Sequence, residues 1–477
     1  MVDSSVFIAP NFIPTSLYNL AQQLQSAFRD KTIDVTLLIE IGQQLWACSG
    51  LPKDTSHISQ LVIQQHQDLP WEYLYHPDGY FIAQDLAIIR QSTTTLTKNK
   101  QTASPFNILH FSTQVNYSKQ HYLNFSEERQ FIYQALWLQI QAQQVLLHSS
   151  TCHHFEQFKL LLNQRWDMII LSGHSITKEG QQYLAFNSDT APYLLVSYEE
   201  IVTIFQNLSV QCVVLAVCES NDLAFKLHQL GIPCVIGMQY TVLDRAASLF
   251  IQQFCQSIMQ QSTVTDAVQT ARLAMQDLLK QDEQWQENEL GQWLMPCLYV
   301  QTQTFPLFSQ QTPDTQTKPV KQLIGRSRSF CALEKLLQNH KKVWLYGVGG
   351  IGKTALAQAL QQHFTALHKP IAYLEMGEQS DITNIDSTIL AVSRFPPPNQ
   401  EWISFKLSSP SETAFMHYAQ HLGLAYPALQ LRLIYKMLQG NYQGLHLLQG
   451  LPFSTQAHVL RQQLRTVQRY LQAYQRQ

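Results

Sequence analysis

The chain has 477 residues, more than one hydrophobic core usually holds, so two or three domains are expected. Apolar residues make up 45% and charged residues only 14%, against roughly a quarter in typical globular proteins, which excludes extensive disorder. A formal charge of −2 and the lack of any Lys/Arg-rich block exclude general attraction for nucleic acid, leaving proteins or small molecules as expected partners.

Eight cysteines stand at 48, 152, 212, 218, 234, 255, 297 and 331, without the Cys-x-x-Cys spacing of a zinc site or redox pair, which fits a reducing compartment. The first residues lack a basic region followed by a long apolar run, and no stretch of about 18 apolar residues occurs. A cytoplasmic protein with no membrane partner is therefore expected.

Residues 1–100 carry apolar runs at Val35–Ile39 and Leu61–Ile63 and the aromatic segment Leu69-Pro-Trp-Glu-Tyr-Leu-Tyr75, and read as a companion half-domain without chemistry of its own. From Phe106 to about Val300, short apolar runs alternate with amphipathic stretches, the pattern of strands and helices layered about a mostly parallel sheet. The strands are expected at Ile108–Ser112, Gln144–Leu147, Met168–Leu171, Cys212–Val217 and Cys234–Gly237. The helices between them are expected at Ser126–Gln143, Phe155–Gln164, Ser197–Leu208 and Asn221–Leu230. A polar segment with Pro306, Pro313 and Pro319 then has linker composition, giving domains at 101–305 and beyond 320, with 306–320 as the linker.

Two of these strands run straight into residues that carry nucleophile chemistry: Met168-Ile-Ile-Leu-Ser-Gly-His174 and Cys212-Val-Val-Leu-Ala-Val-Cys218. The carboxyl ends of neighbouring parallel strands share one crevice, so an imidazole and a thiol placed there can meet despite their separation in sequence. His174 is the expected base and Cys218 the expected nucleophile. Backbone N–H groups of Ser175 and Cys218 are the expected donors to a developing oxyanion. A helix beginning just after Cys218 would favour thiolate through its dipole. Cys152-His153-His154 lacks a second pair at metal-ligand spacing and reads as structural, and Asp244 reads as an N-cap.

Residues 69–300 resemble a CHAT domain, the caspase-like peptidase module related to separase. The resemblance rests on the Leu69–Tyr75 segment, Ser172-Gly-His174, Ala216-Val-Cys218-Glu-Ser220, Leu230-Gly-Ile-Pro-Cys-Val-Ile-Gly-Met238, Val242-Leu-Asp-Arg-Ala-Ala247, Ala267-Val-Gln-Thr-Ala-Arg272 and Trp293-Leu-Met-Pro-Cys-Leu-Tyr299. It implies a caspase-like three-layer α/β sandwich, a His174/Cys218 dyad, a protein substrate, and residues 1–100 as the inactive half that supports the dyad. Ser175 stands where the family usually has glycine, Val217 where asparagine is common, and Ala216 where metacaspase-like enzymes carry an aspartate for basic residues, so specificity for Arg or Lys does not transfer.

Farther on, the strand-like Val343-Trp-Leu-Tyr346 leads into Gly347-Val-Gly349-Gly350-Ile-Gly352-Lys353-Thr354 and a helix-favouring Ala355–Leu360. This is a complete Gly-x-x-x-x-Gly-Lys-Thr phosphate loop in its required strand–loop–helix context. Its backbone N–H groups would surround phosphate oxygens, Lys353 would neutralise the β/γ phosphates, and Thr354 would ligate Mg2+. The region 321–400 resembles a shortened STAND or NB-ARC nucleotide switch, with Leu323-Ile-Gly-Arg326 as entry motif and Ile389-Leu-Ala-Val-Ser-Arg394 as sensor strand. Leu407-Ser-Ser-Pro-Ser-Glu412 resembles the helical segment that follows that strand. Only one further strand, Ile371–Leu374, fits between Thr354 and Arg394, and Glu375 at its end is the nearest candidate for a Walker B acid. Residues 401–477 are expected to be helical.

The combined expectation is a cysteine endopeptidase regulated by an ATP- or ADP-binding switch with Mg2+, and the family resemblance implies a setting in bacterial defence or signalling. Self-association is the expected route of coupling, with a homo-oligomer and a separate sensor protein as possible partners. Two other classes compete: an inactive CHAT scaffold coupled to the switch, and a stand-alone ATPase with a docking domain.

Overall fold

Cys212–Val217 is a run of apolar residues, three of its six β-branched, and every one of them is buried. That is the signature of a strand covered on both faces, and it lies in the middle of a large sheet. The structure, a computed structural model, describes residues 5–10, 12–92, 105–113, 125–150, 153–260, 262–281, 291–300, 307–308, 323–367, 369–376 and 387–476. The chain divides into two units, Met1–Asp314 and Thr315–Gln477.

The strands of the first unit are β1 (Ser5–Ile8), β2 (Gln60–Ile63), β3 (Tyr75–His76), β4 (Tyr80–Phe81), β5 (Ala87–Arg90), β6 (Phe106–Thr113), β7 (Val145–Ser149), β8 (Met168–Lys178), β9 (Gln181–Phe186), β10 (Leu194–Ser197), β11 (Cys212–Val217), β12 (Cys234–Met238) and β13 (Pro296–Val300). Its helices are α1 (Thr15–Asp30), α2 (Val35–Ser49), α3 (Phe125–Gln141), α4 (Phe155–Leu162), α5 (Tyr198–Phe205), α6 (Asn221–Gln229), α7 (Asp244–Met259) and α8 (Val264–Gln281).

The main sheet has the order β1-β2-β5-β13-β12-β11-β8-β6-β7, with β9 added to β8 and β10 to β9. The strands β12, β11, β8, β6 and β7 are mutually parallel, as are β1, β2, β5 and β13, and the two blocks meet antiparallel at β12 and β13. Alternation along the strands sorts side chains to the two faces. Leu109, Phe111, Ile169, Leu171, Val213, Leu215 and Val217 join one core with Phe158 of α4, Ile201 and Phe205 of α5, and Leu223 and Leu227 of α6. On the opposite face α7 packs against α3, α8 and β11, completing a helix–sheet–helix sandwich.

The N-terminal residues contribute strands to this same sheet. A buried charge cluster fastens them there: Glu72 and Arg90 are both 0% exposed and Arg272 of α8 is 1% exposed. Arg90 donates from Nε to Glu72 Oε1 at 3.0 Å, pairs with Oε2 as well, and reaches Gln239 Oε1 at 3.1 Å. The Trp-Glu-Tyr landmark is therefore a structural junction, its acid holding arginines from two separate elements. Within the segment read as a linker, Leu307 and Phe308 are buried and Phe308 meets the ring of Phe106 edge-on; the other residues of 306–320 lie outside the described residues.

The second unit holds α9 (Ser327–Asn339), β14 (Lys342–Tyr346), α10 (Lys353–Ala366), β15 (Ala372–Glu375), β16 (Ile389–Ser393), β17 (Ile403–Lys406), α11 (Glu412–His421), α12 (Ala428–Leu438), α13 (Tyr442–Gln449) and α14 (Ala457–Arg476). Its four strands form a parallel sheet in the order β15-β16-β14-β17, so the α/β part extends past residue 400. The last four helices bury Phe415, Leu431, Ile434, Leu445, Leu460 and Leu464 in a separate apolar cluster. The segment 407–411 is not helical; Ser411 caps α11 by accepting from Ala414 N at 3.2 Å.

Candidate active site

The register of β8 and β11 brings the two expected residues together. Ala216 pairs with Ser172 and Val217 with Gly173; the next residues are Cys218, which opens the turn after β11, and His174, still within β8. At His174 the strand β8 leaves the parallel sheet and enters an antiparallel hairpin with β9, where His174 opposes Ala185. Gly173 is required at this crossover, because a Cβ there would lie 1.8 Å from Thr113 Oγ1 on β6.

Both residues line one small cavity of about 30 Å³, together with Glu128 from α3, Val242, and Asp244 and Ser248 from α7. That volume admits about one or two waters and no side chain of a substrate. Glu128 is buried and bonded to the His110 ring at 2.9 Å, and Asp244 is the first residue of α7. The N-cap position of α7 belongs to Leu243, correcting the expectation for Asp244, whose place is the cavity wall. Desolvation, then the neighbouring Glu128 carboxylate, raises Asp244 to about 6, with Lys31 opposing.

Sequence reasoning missed Glu128 altogether and gave Asp244 a merely local role. No spacing rule connects either residue with His174 or Cys218, since they arrive from the other helical layer.

The turn carrying Cys218 is held from several directions. Ser175 Oγ donates to the Cys218 carbonyl at 2.6 Å. Ser220 Oγ donates to Val217 O at 2.7 Å and accepts from Met238 N at 2.9 Å, tying the turn to β11 and β12. Glu219 adopts a left-handed conformation, φ 52°, which non-glycine residues seldom occupy. Gly237 lets this turn approach β12: a Cβ there would lie 2.9 Å from the Ser220 carbonyl oxygen.

The helix dipole does not dominate the thiol's ionisation. Burial first, then the carboxylates of Asp244 and Glu219, push the Cys218 thiol up to about 11, and its sulfur lies 3.6 Å from the Val242 carbonyl. The resting group is a thiol rather than a thiolate at neutral pH, so a base must take its proton as it attacks.

In the second unit, Gly347–Thr354 connects β14 to α10. Gly347, Gly350 and Gly352 have φ of 151°, 80° and 95°, and Gly352 caps α10 without any side-chain bond to the first N–H groups. Lys353 Nζ donates to Gly347 O at 2.8 Å and Val348 O at 3.0 Å, while Thr354 Oγ1 donates to Glu375 Oε1 at 3.2 Å. Burial, followed by Arg394, lowers the Lys353 ammonium. A cavity of about 720 Å³ lies beside the loop, bordered by Arg326, Lys353, Thr354, Tyr418, Tyr442 and His446. Asn441 Nδ2 donates to Gly349 O at 2.8 Å and Gln443 N to Gly350 O at 3.2 Å, so the start of α13 rests directly on the loop.

His153 is bonded to Ser112, His154 faces Asp189 at 3.6 Å, and Cys152 lies outside the described residues. Among the described residues no group of three His, Cys, Asp or Glu side chains could hold a metal ion. None of their helices is long and apolar enough to cross a membrane.

The CHAT domain profile matches residues 31–344, more than half of the chain, which therefore belongs to the CHAT domain family. Similar solved structures include the Arg-specific cysteine proteinase gingipain R (RGPB), at 11% identity and TM-score 0.35, covering 62% of this chain and 77% of that one. The complex of Porphyromonas gingivalis RgpB pro- and mature domains matches at 10% identity and TM-score 0.37, over 64% and 79%. The Saccharomyces cerevisiae separase–securin complex matches at 15% identity and TM-score 0.32, over 57% of this chain and 17% of that one. No curated protein matches.

Proposed function

We propose that the chain is a cysteine endopeptidase acting on protein substrates, with Cys218 as nucleophile and His174 as general base. The observation that carries this reading is the shared cavity at the ends of two adjacent strands, lined by both residues. The imidazole accepts the thiol proton as sulfur attacks the scissile carbonyl carbon. The oxyanion so formed is met by the backbone N–H groups of Cys218 and Ser175, and the imidazolium returns the proton to the departing amine. Water then attacks the thioester, releasing the acid and restoring the thiol. The cavity must widen for a peptide to enter.

The test is cleavage of a broad peptide library by the full chain beside Cys218→Ala and His174→Ala. Loss of cleavage in both variants supports the reading, and equal background-level cleavage by all three supports the inactive scaffold. That second reading is favoured by the thiol's elevated pKa and by the narrow cavity.

The second unit is proposed to bind ATP or ADP with Mg2+. The reading is supported by the left-handed glycines and the N–H groups at the start of α10, which suit phosphate oxygens, by the positive charge of Lys353, and by the contact of Thr354 with Glu375, the proposed metal ligand and its partner. Arg394 follows the end of β16 as the proposed sensor. Binding of a fluorescent adenine nucleotide should fall at least about tenfold in Lys353→Ala, the change expected when the phosphate-pairing charge is removed. Regulation of the peptidase by nucleotide-dependent self-association is proposed on the covalent connection of the two units. It is tested by comparing cleavage and oligomer size with and without ATP.

A further inference from the structure

Glu219 directly follows Cys218, and its carboxylate is held by side chains from nearly 200 residues earlier in the chain. Arg29 on α1 donates to Oε1 at 3.0 Å and Oε2 at 3.2 Å, Gln25 one turn before it donates to Oε2 at 3.0 Å, and Thr241 Oγ1 lies 3.5 Å from Oε1. The Glu219 side chain is only 8% exposed, whereas Arg29 is 54% exposed. The same helix grips the turn by a second route. Phe28 stacks on Tyr240 with ring centroids 5.6 Å apart, the Tyr240 hydroxyl donates to Ala21 O at 3.4 Å, and the Tyr240 carbonyl accepts the Glu219 N–H at 3.1 Å. Both grips converge on the left-handed residue that directly follows Cys218 in the turn.

We propose that α1 is a positioning element for the nucleophile: Arg29 and Gln25 hold Glu219 in its left-handed conformation and thereby fix where Cys218 presents its sulfur. Because the Glu219 carboxylate is nearly buried, its pairing with Arg29 also contributes to stability, so the test reads the thiol itself rather than unfolding alone. The proposal rests on the peptidase reading for the role of Cys218, and neither Arg29 nor Gln25 takes part in the chemistry.

The groups facing the thiol are His174 from β8, Glu128 from α3, Asp244 from α7, Tyr198 from α5 and Glu219 itself, with Lys31 near Asp244. The test is the pH dependence of iodoacetamide modification of Cys218, located by peptide mass spectrometry in the full chain. Arg29→Ala leaves the Glu219 carboxylate without its cation and should slow modification about threefold to tenfold at pH 9, displacing the profile upward. Glu219→Gln removes that carboxylate and should displace the profile downward. Arg29→Lys should stay within about threefold of the parent rate, since one unit of pKa is tenfold in thiolate. Gln25→Ala releases part of the hold without changing any charge and should slow modification as well; rates equal to the parent's in both Gln25→Ala and Arg29→Ala overturn the proposal. Absence of peptide cleavage by the unsubstituted chain overturns the peptidase reading and leaves the thiol measurement interpretable.

Discussion

The Ser175 hydroxyl donates to the Cys218 carbonyl at 2.6 Å, so the residue after the expected base is bonded to the expected nucleophile's own backbone. A serine where the resemblance leads one to expect glycine therefore serves as a cross-strand tie. It joins the end of the β8 parallel register to the turn after β11.

Ser175→Ala removes that tie and leaves the Cys218 carbonyl without it. A loss of about 1 kcal/mol in unfolding free energy is expected, the usual net contribution of one hydrogen bond. If the tie also orients the site, kcat falls more than KM changes. Urea denaturation and steady-state kinetics on the same preparation separate the two effects.

Asp244→Asn removes a carboxylate that opposes ionisation of the Cys218 thiol, so thiolate forms at lower pH and iodoacetamide modification rises at pH 8 to 9. Because Asp244 is raised to about 6 in the folded protein from an ordinary value near 4, the folded state holds its proton more tightly than the unfolded chain. Its contribution then favours folding below about pH 4 and is lost as pH rises through about 6. Asp244→Asn should flatten that part of the stability profile, measured as thermal midpoint against pH.

Gly173→Ala places a methyl group 1.8 Å from Thr113 Oγ1, in a strand paired on both sides. Overpacking of this kind costs about 1–3 kcal/mol and displaces the neighbouring backbone. His174 is the next residue, so cleavage should drop further than the fraction of unfolded protein explains, as comparison of activity with circular dichroism at one temperature would show.

Glu72→Ala leaves Arg90 and Arg272 buried without their shared carboxylate. Breaking a buried pair in this way costs about 3–5 kcal/mol. The urea midpoint should fall sharply, and a replacement that also removes the Arg90 charge, Glu72→Gln with Arg90→Met, should recover part of the loss. No recovery in the double variant would argue that packing rather than charge dominates the junction.

Parts of this architecture were legible in the residues themselves. Cys212–Val217 and Met168–Leu171 announce buried parallel strands because a strand covered on both faces needs apolar side chains at every position, and those runs stop at Cys218 and shortly before His174. The strand–loop–helix setting of Gly347–Thr354 was equally readable, because left-handed turns call for glycine at fixed offsets. The hairpin of β9 and β10 and the edge strand β17 were not foreseen. Their short, half-exposed sequences lack the apolar run or clean alternation that separates a strand from a loop.

Local sequence therefore determined the buried central strands and which residues stand at their ends, since backbone preference and side-chain periodicity act over a few residues. Only the tertiary structure decided which distant groups surround the thiol. Glu128, Asp244, Arg29 and Gln25 reach the Cys218 neighbourhood through the tertiary placement of α3, α7 and α1, and no pattern within those helices marks the residue across the fold that each will meet.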